Sequence, residues 1–230
     1  MDLSERDRQL RELMDAPDCD PQRLHATLRR FGIVNRLISG WDRVYRTRLR
    51  AALTGCDQPA RVLDIGSGGG DVIARLAHLA ARDGLRVQWT GADPDPRAHE
   101  VARLRQVPGA TFLCTDADAL LEAGEVFDVV ISNHVIHHLG DQELLAFTDA
   151  SRRLSSGTVL HGDIARSRTA YGLYAAGITP IAPGTFLRTD GLRSIRRSYR
   201  PEELSAALGP RWRVVSPAPF RLLAEGLGRA

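Results

Sequence analysis

Residues 61–80 constrain this chain more than any other stretch. Arg61-Val-Leu-Asp-Ile reads as a short buried strand, Gly66-Ser-Gly-Gly-Gly closes it, and Val72, Ile73, Leu76 and Leu79 mark one face of a following helix. Small residues let a backbone approach a ligand closely, and a helix N-terminus offers free N–H groups. The rhythm then repeats. Val87–Ala92, Thr111–Cys114, Phe127–Ser132 and Thr158–Gly162 read as strands, with helices at Arg97–Arg105 and Gln142–Leu154 between them. Continuous apolar strands alternating with helices predict a parallel sheet covered on both faces.

The flanks differ. Residues 1–55 read as helices, from Leu10, Leu13 and Met14 on one face and, after Pro17–Pro21, from Leu24, Leu28, Phe31, Val34 and Leu37. The α/β rhythm breaks over about 165–200, and a helix restarts at Pro201 with proline suited to its first turn. Two final strands at Trp212–Ser216 and Phe220–Ala224 are joined by a tight reversal. The expected organisation is an N-terminal helical cap (1–55) before one α/β domain (56–230), with a substrate-side insertion at about 165–200.

The glycine spacing narrows the ligand. A dinucleotide fingerprint starting at Gly66 needs its third glycine at position 71, which is Asp71. A carboxylate there repels a pyrophosphate but suits a ligand carrying a sulfonium and an amino group, such as S-adenosylmethionine. Asp93 ends the second strand, where a carboxylate can accept both hydroxyls of a ribose. Asp116 follows the third, with the Ala117 N–H beside it, and could accept from an adenine amino group. Each of Asp93, Asp95, Asp116 and Asp118 could equally cap a turn. Acids at successive strand ends, where open α/β sheets bind ligands, favour the ligand reading.

Val62-Leu-Asp-Ile-Gly-Ser-Gly-Gly-Gly, Gly91-Ala-Asp-Pro-Asp, Thr115-Asp-Ala-Asp and Phe127-Asp-Val-Val-Ile-Ser-Asn-His-Val-Ile-His-His-Leu resemble the ordered motifs of class I S-adenosylmethionine-dependent methyltransferases. The resemblance implies a Rossmann-like, seven-stranded, mostly parallel sheet with the last strand antiparallel and helices on both faces. It places the methionine part of S-adenosylmethionine on Asp64, Gly66, Ser67, Gly68 and Gly70. The ribose falls to Asp93 beside Pro94 and the adenine to Asp116 and Ala117, with Asn133 at the end of strand four also on the cofactor. Asn35-Arg-Leu-Ile-Ser-Gly, Asp163-Ile-Ala-Arg-Ser-Arg-Thr-Ala-Tyr and Asp190-Gly-Leu-Arg-Ser-Ile-Arg-Arg-Ser-Tyr are similar to bacterial methyltransferases associated with type III polyketide synthases. Those are related to enzymes that methylate hydroxyls of quinone precursors. The family has Asp-Leu at Asp163-Ile164 and Pro-Gly-Gly at Ser155-Ser-Gly. This layer implies a hydrophobic phenolic or quinol substrate in secondary metabolism, methylated on oxygen. Carbon methylation of a similar aromatic is the close variant.

A phenol profits from a base, worth roughly 10²–10⁴-fold. His134, directly after strand four, is the preferred candidate. His161 and Asp163 leave strand five on one face, so one could orient the other; a core histidine with a capping aspartate is the competing reading. His137 and His138 read as packing residues. No metal site is expected, because no Cys or Glu completes a recognisable ligand set. Tyr171, Tyr174 and Phe186, with Trp41 and Tyr45 opposite, could line an apolar pocket. Arg193, Arg196, Arg197 and Arg200 raise an RNA substrate as a third possibility.

Composition enters as a check. All 31 basic residues are arginine, so Schiff-base and other lysine chemistries are excluded. The formal charge of +3 hides an uneven split. Residues 61–150 hold seven arginines and 14 acids, whereas 151–230 hold 13 and five. An acidic cofactor-binding half suits a cationic ligand. Cys19, Cys56 and Cys114 are isolated, as in a reduced cytoplasm. No apolar run spans a membrane. The expected partner is a small aromatic molecule, with no nucleic acid or membrane, for a cytoplasmic monomer or homodimer.

Overall fold

The computed structural model describes residues 3–56 and 59–230. After an irregular strap over residues 3–20, the chain enters α1 (Pro21–Ile38). Asp20 caps this helix by accepting from the Gln22 and Arg23 N–H groups, with proline at the first position. Next come α2 (Trp41–Val44), a π-turn (Tyr45–Leu49) and α3 (Arg50–Thr54). The α/β core follows as β1 (Ala60–Ile65), α4 (Asp71–Arg82), β2 (Val87–Ala92), α5 (Pro96–Ala102), β3 (Ala110–Leu113) and α6 (Ala117–Glu122). It continues through β4 (Phe127–Asn133), α7 (Asp141–Arg153) and β5 (Ser155–Ile164). The remainder is α8 (Arg168–Gly177), α9 (Leu187–Arg197), α10 (Pro201–Leu208), β6 (Arg213–Val215) and β7 (Arg221–Leu227).

The seven strands are ordered β3-β2-β1-β4-β5-β7-β6. β1 to β5 pair in parallel, and β7 runs antiparallel between β5 and β6. This is the expected Rossmann-like sheet. Leu63, Val130 and Val159 pack with α6, α7 and α10 on one face, while Val62, Val129 and Ile131 pack with α2, α3 and α4 on the other. Each such fully buried side chain contributes about 1.5–3 kcal/mol. Strand order reverses between β1 and β4, so a crevice opens at their C-terminal ends, where open sheets bind ligands.

One expectation needs correction, and two elements add to the reading. The Leu10–Met14 segment is not a helix, because two of its N–H groups are taken by a distant acceptor. Leu13 N and Met14 N donate to Asp190, and Asp7 N to the Arg196 carbonyl. Residues 165–200 are mostly helical, as α8 and α9, with Ser167 capping α8. The short α6 was unforeseen; Asp116 caps it by accepting from Ala119 N at 2.9 Å.

Candidate active site

The crevice leads into a cavity of about 1160 Å³. At one end stands the glycine loop. Gly66, Gly68 and Gly70 all have positive φ (71°, 52° and 74°), where a side chain is strained. A Cβ on Gly70 would lie 2.6 Å from the Phe112 ring, whereas one on Gly68 would meet nothing within 4 Å. Gly68 is thus where the cavity comes up against bare backbone. Ser67 is buried, and its N–H and that of Gly66 both donate to the Ala92 carbonyl, tying the loop to β2.

Asp64 forms the floor of this end. It is 1% exposed, yet neither carboxylate oxygen has a hydrogen-bond partner. Burial, then the charges of Asp71 and Asp93, push its carboxyl well above the usual range. Buried acids are ordinarily paired, so an orphaned one facing a cavity fits a cationic group delivered by a ligand. Asp71 accepts from the Asn35 side chain at 2.9 Å, which joins α1 to the loop. Asp93 accepts from Gly68 N at 2.8 Å and Asp95 N at 2.9 Å, and burial raises its pKa. Beyond it, Pro94, Asp116 and Ala117 also line the cavity. Asp116 is a helix cap and a lining residue at once. The orphaned Asp64, the open Gly68 and this acidic rim fit S-adenosylmethionine, a cationic ligand.

The other end is built from β4, β5, β7 and the strap. His134 follows β4 at φ 63°, one of two non-glycine residues at positive φ among the described residues, and its N–H donates to the Gly162 carbonyl. Its Nε2 lies 2.9 Å from Arg221 Nη2. Arginine only donates, so Nε2 accepts and the proton sits on Nδ1. Burial, then the Arg221 charge, holds this imidazole well below the usual histidine range, neutral at physiological pH. Asn133 accepts from the same Arg221 nitrogen at 3.4 Å.

Asp163 pairs with His137, not His161. Its Oδ1 lies 2.7 Å from His137 Nδ1, and Oδ2 accepts from His137 N at 2.9 Å. On the other side His137 Nε2 meets Glu12 of the strap at 3.1 Å, and Ser194 donates to the same Glu12 oxygen. Burial opposes the charge on His137, but Asp163 and then Glu12 raise its pKa to about 9. Glu12, despite burial, is lowered to about 2 by the His137 bond and the neighbouring histidine charges. His137 is thus a cation clamped between two carboxylates, which makes it a strut and a poor base. His161 belongs to the core. Its Nδ1 is 2.7 Å from Ser132 Oγ, its ring packs beside Phe147 and Trp212, and burial pushes its pKa down to about 3. It is absent from the cavity wall.

Two trios, Glu12–His137–His138 and His134–His137–Asp163, place ligand atoms close enough to hold a metal ion. Both depend on His137, whose two nitrogens are already engaged. Tyr174 lines the cavity as expected, whereas Phe186, Trp41 and Tyr45 are buried in core clusters. The arginines that suggested RNA fasten the strap and its neighbouring turn. Arg193 donates to the Arg11 carbonyl, Arg196 to Asp7, Arg197 to the His137 and His138 carbonyls, and Arg200 to the Leu3 carbonyl. Glu12 and Arg221 escaped the sequence reading, since no local spacing marks them.

The sheet order, the antiparallel β7 and the glycine loop that follows an orphaned acid make up the fold of the class I S-adenosylmethionine-dependent methyltransferases. Comparison with known proteins agrees. Residues 62–157 match a family model described as a methyltransferase domain. A ubiquinone biosynthesis O-methyltransferase of Brucella anthropi is 33% identical over 151 residues, 64% of this chain and 57% of that protein. The protein of the same description in Mesorhizobium japonicum is 32% identical over 152 residues, covering 65% and 57%. The chain thus spans little more than half the length of these relatives. Among solved structures, the plantazolicin methyltransferase BpumL with a pentazolic analogue and S-adenosylhomocysteine superposes with TM-score 0.61 at 14% identity, covering 91% of this chain and 96% of that one. A methyltransferase from Aquifex aeolicus gives 0.59 at 16%, covering 90% and 98%. Among the described residues no helix is long and apolar enough to cross a membrane.

Proposed function

We propose that this chain transfers a methyl group from S-adenosylmethionine to a hydroxyl of a small hydrophobic phenol or quinol. One observation carries the reading: a single cavity runs from an orphaned, buried acid under a glycine loop to an apolar, strap-covered end. At about 1160 Å³ it exceeds the few hundred to 1,000 Å³ of an ordinary ligand pocket, leaving room for a cofactor and a modest acceptor together. Its rim exposes Leu37 (75%), Leu173 (61%) and Phe220 (37%), a surface that suits a lipophilic acceptor and not a nucleic-acid backbone. The relatives' description as ubiquinone biosynthesis O-methyltransferases points the same way.

When bound, the cofactor supplies an electrophilic methyl on a sulfonium. The chain's own contribution is positional. Asp64 and the Gly66–Gly70 backbone hold the methionine part, Asp93 the ribose, and Asp116 with Ala117 the adenine. Asn133 and His134 stand between the two ends, where Nδ1 of His134 is a donor. Asp163 acts through His137, keeping the turn after β4 and the strap in register over the acceptor. Closure by the strap excludes water and aligns the reacting atoms, a contribution that reaches several kcal/mol in well-ordered sites.

The test is incubation with labelled S-adenosylmethionine and a panel of lipophilic phenols, followed by NMR of the product. A methoxy resonance is expected. An aryl-methyl resonance would make the enzyme a carbon methyltransferase, label in RNA would replace the substrate class, and failure to bind S-adenosylhomocysteine would remove the reading altogether.

A further inference from the structure

Arg221 is a buried cation with no counter-ion among the described residues. It is 4% exposed and lines the cavity. Its contacts contrast with those of the chain's other deeply buried arginines. Arg166 forms a two-bond pair with Glu203, and Arg197 is consumed by backbone carbonyls. Among the described residues Arg221 donates only through Nη2, to His134 Nε2 and Asn133 Oδ1, and its buried Nε has no partner. Among the described residues no carboxylate lies within ion-pair distance of it. Asp163, across the β5–β7 ladder, feels its charge but spends its own oxygens on His137 and Ile164 N.

The backbone around this guanidinium is held in an uncommon state. The two non-glycine residues at positive φ among those described are His134, which Arg221 bonds, and Phe220, which precedes it. Both line the cavity. Such conformations persist where the surrounding fold over-determines them, and they gather at ligand sites. The pair also sits near the donor end, since the residue after His134, Val135, is the one that a Cβ on Gly66 would strike at 2.6 Å.

Resting on the methyltransferase reading, we infer that Arg221, with the Nδ1–H of His134 beside it, binds the acceptor as its oxyanion, a phenolate, at the oxygen that takes the methyl. A guanidinium in a dry site is a strong partner for a phenolate and no partner for a proton. The phenol proton leaves to solvent as the anion enters. The oxygen lone pair then forms the O–CH₃ bond, and the pair of the broken C–S bond stays on sulfur. The enzyme thereby selects an ionised acceptor and needs no histidine base, which agrees with an imidazole whose Nε2 is already occupied.

The test uses 4-nitrophenol, which absorbs visible light as the phenolate, added to the protein loaded with S-adenosylhomocysteine. Bound probe is expected to ionise at least one pH unit below free probe, a tenfold or greater preference for the anion. Arg221→Gln should abolish that preference while S-adenosylhomocysteine affinity stays within about threefold, and Arg221→Lys should keep part of it. A wild-type protein that binds S-adenosylhomocysteine but shows no preference overturns the inference and leaves the methyltransferase reading standing. So does a preference that survives in Arg221→Gln. Comparing 4-hydroxybenzoate with its methyl ester adds a further check. If Arg221→Gln weakens only the carboxylate, and nitrophenol is unaffected, the anion held is not the phenolate. The wild-type measurement alone decides the matter if the glutamine variant fails to fold.

Discussion

Replacing Asp64 with asparagine should separate folding from cofactor binding. In the ligand-free chain the carboxyl is 1% exposed with both oxygens unpartnered, and burial followed by the charges of Asp71 and Asp93 raises its pKa. An acid whose folded pKa exceeds its unfolded value costs stability as pH rises from about 4 through the folded value. A neutral amide at this position has no such cost. Ligand-free Asp64→Asn should therefore lose less stability than wild type as pH rises above about 4. Binding tells the opposite story. Bonds to a charged group are worth about 1.5–3 kcal/mol each, and the amide forfeits one acceptor and the charge. A loss of about 3 kcal/mol corresponds to roughly 100-fold in affinity for S-adenosylhomocysteine. Calorimetry supplies a second readout. The ammonium restores Asp64 to its ionised form, so wild-type binding should release a proton and give a heat that depends on the buffer. The variant should not. Affinity within threefold of wild type, or an unchanged buffer dependence, would show that Asp64 does not hold the ammonium.

Two further outcomes follow from the same geometry. Gly70→Ala places a Cβ 2.6 Å from the Phe112 ring at φ 74°, so thermal denaturation should show a loss of about 2–3 kcal/mol, whereas Gly68→Ala, with open space, should lose only about 1 kcal/mol of backbone strain. Equal losses would refute the contrast. For the strap, Glu12 lowered to about 2 contributes stability above pH 4.5 that is lost as pH falls through 2, and His137 raised to about 9 contributes below pH 6.5 what is lost as pH rises through 9. Protection from hydrogen exchange of the strap's Asp7 amide, which donates to the Arg196 carbonyl and not to the titrating Asp190, corrected for intrinsic rate, should be greatest between pH 4.5 and 6.5. Glu12→Gln should flatten that profile; an unchanged profile would mean that the Glu12–His137 contact does not hold the strap.

What the sequence determined by itself is the local grammar of the sheet. β2 spans the residues that its apolar run marks, and β1, β3 and β4 begin or end within a residue or two of theirs. These elements obey short-range rules, a period of two or 3.6 and a glycine where φ must be positive, and such rules are written in neighbouring residues. The glycine loop and the acids at the strand ends were legible for the same reason. Leu10–Met14 shows where that grammar fails: its helical spacing is real, but Asp190, more than 170 residues away, takes two of its N–H groups. Only the tertiary structure decided the acceptor end. Glu12 meets His137 across 125 residues and Arg221 meets His134 across 87. The i, i+2 spacing of His161 and Asp163 suggested a pair, yet their partners are Ser132 and His137. A strand's alternation says which face a side chain leaves from. What waits on that face depends on which distant segments the sheet order and the strap bring there.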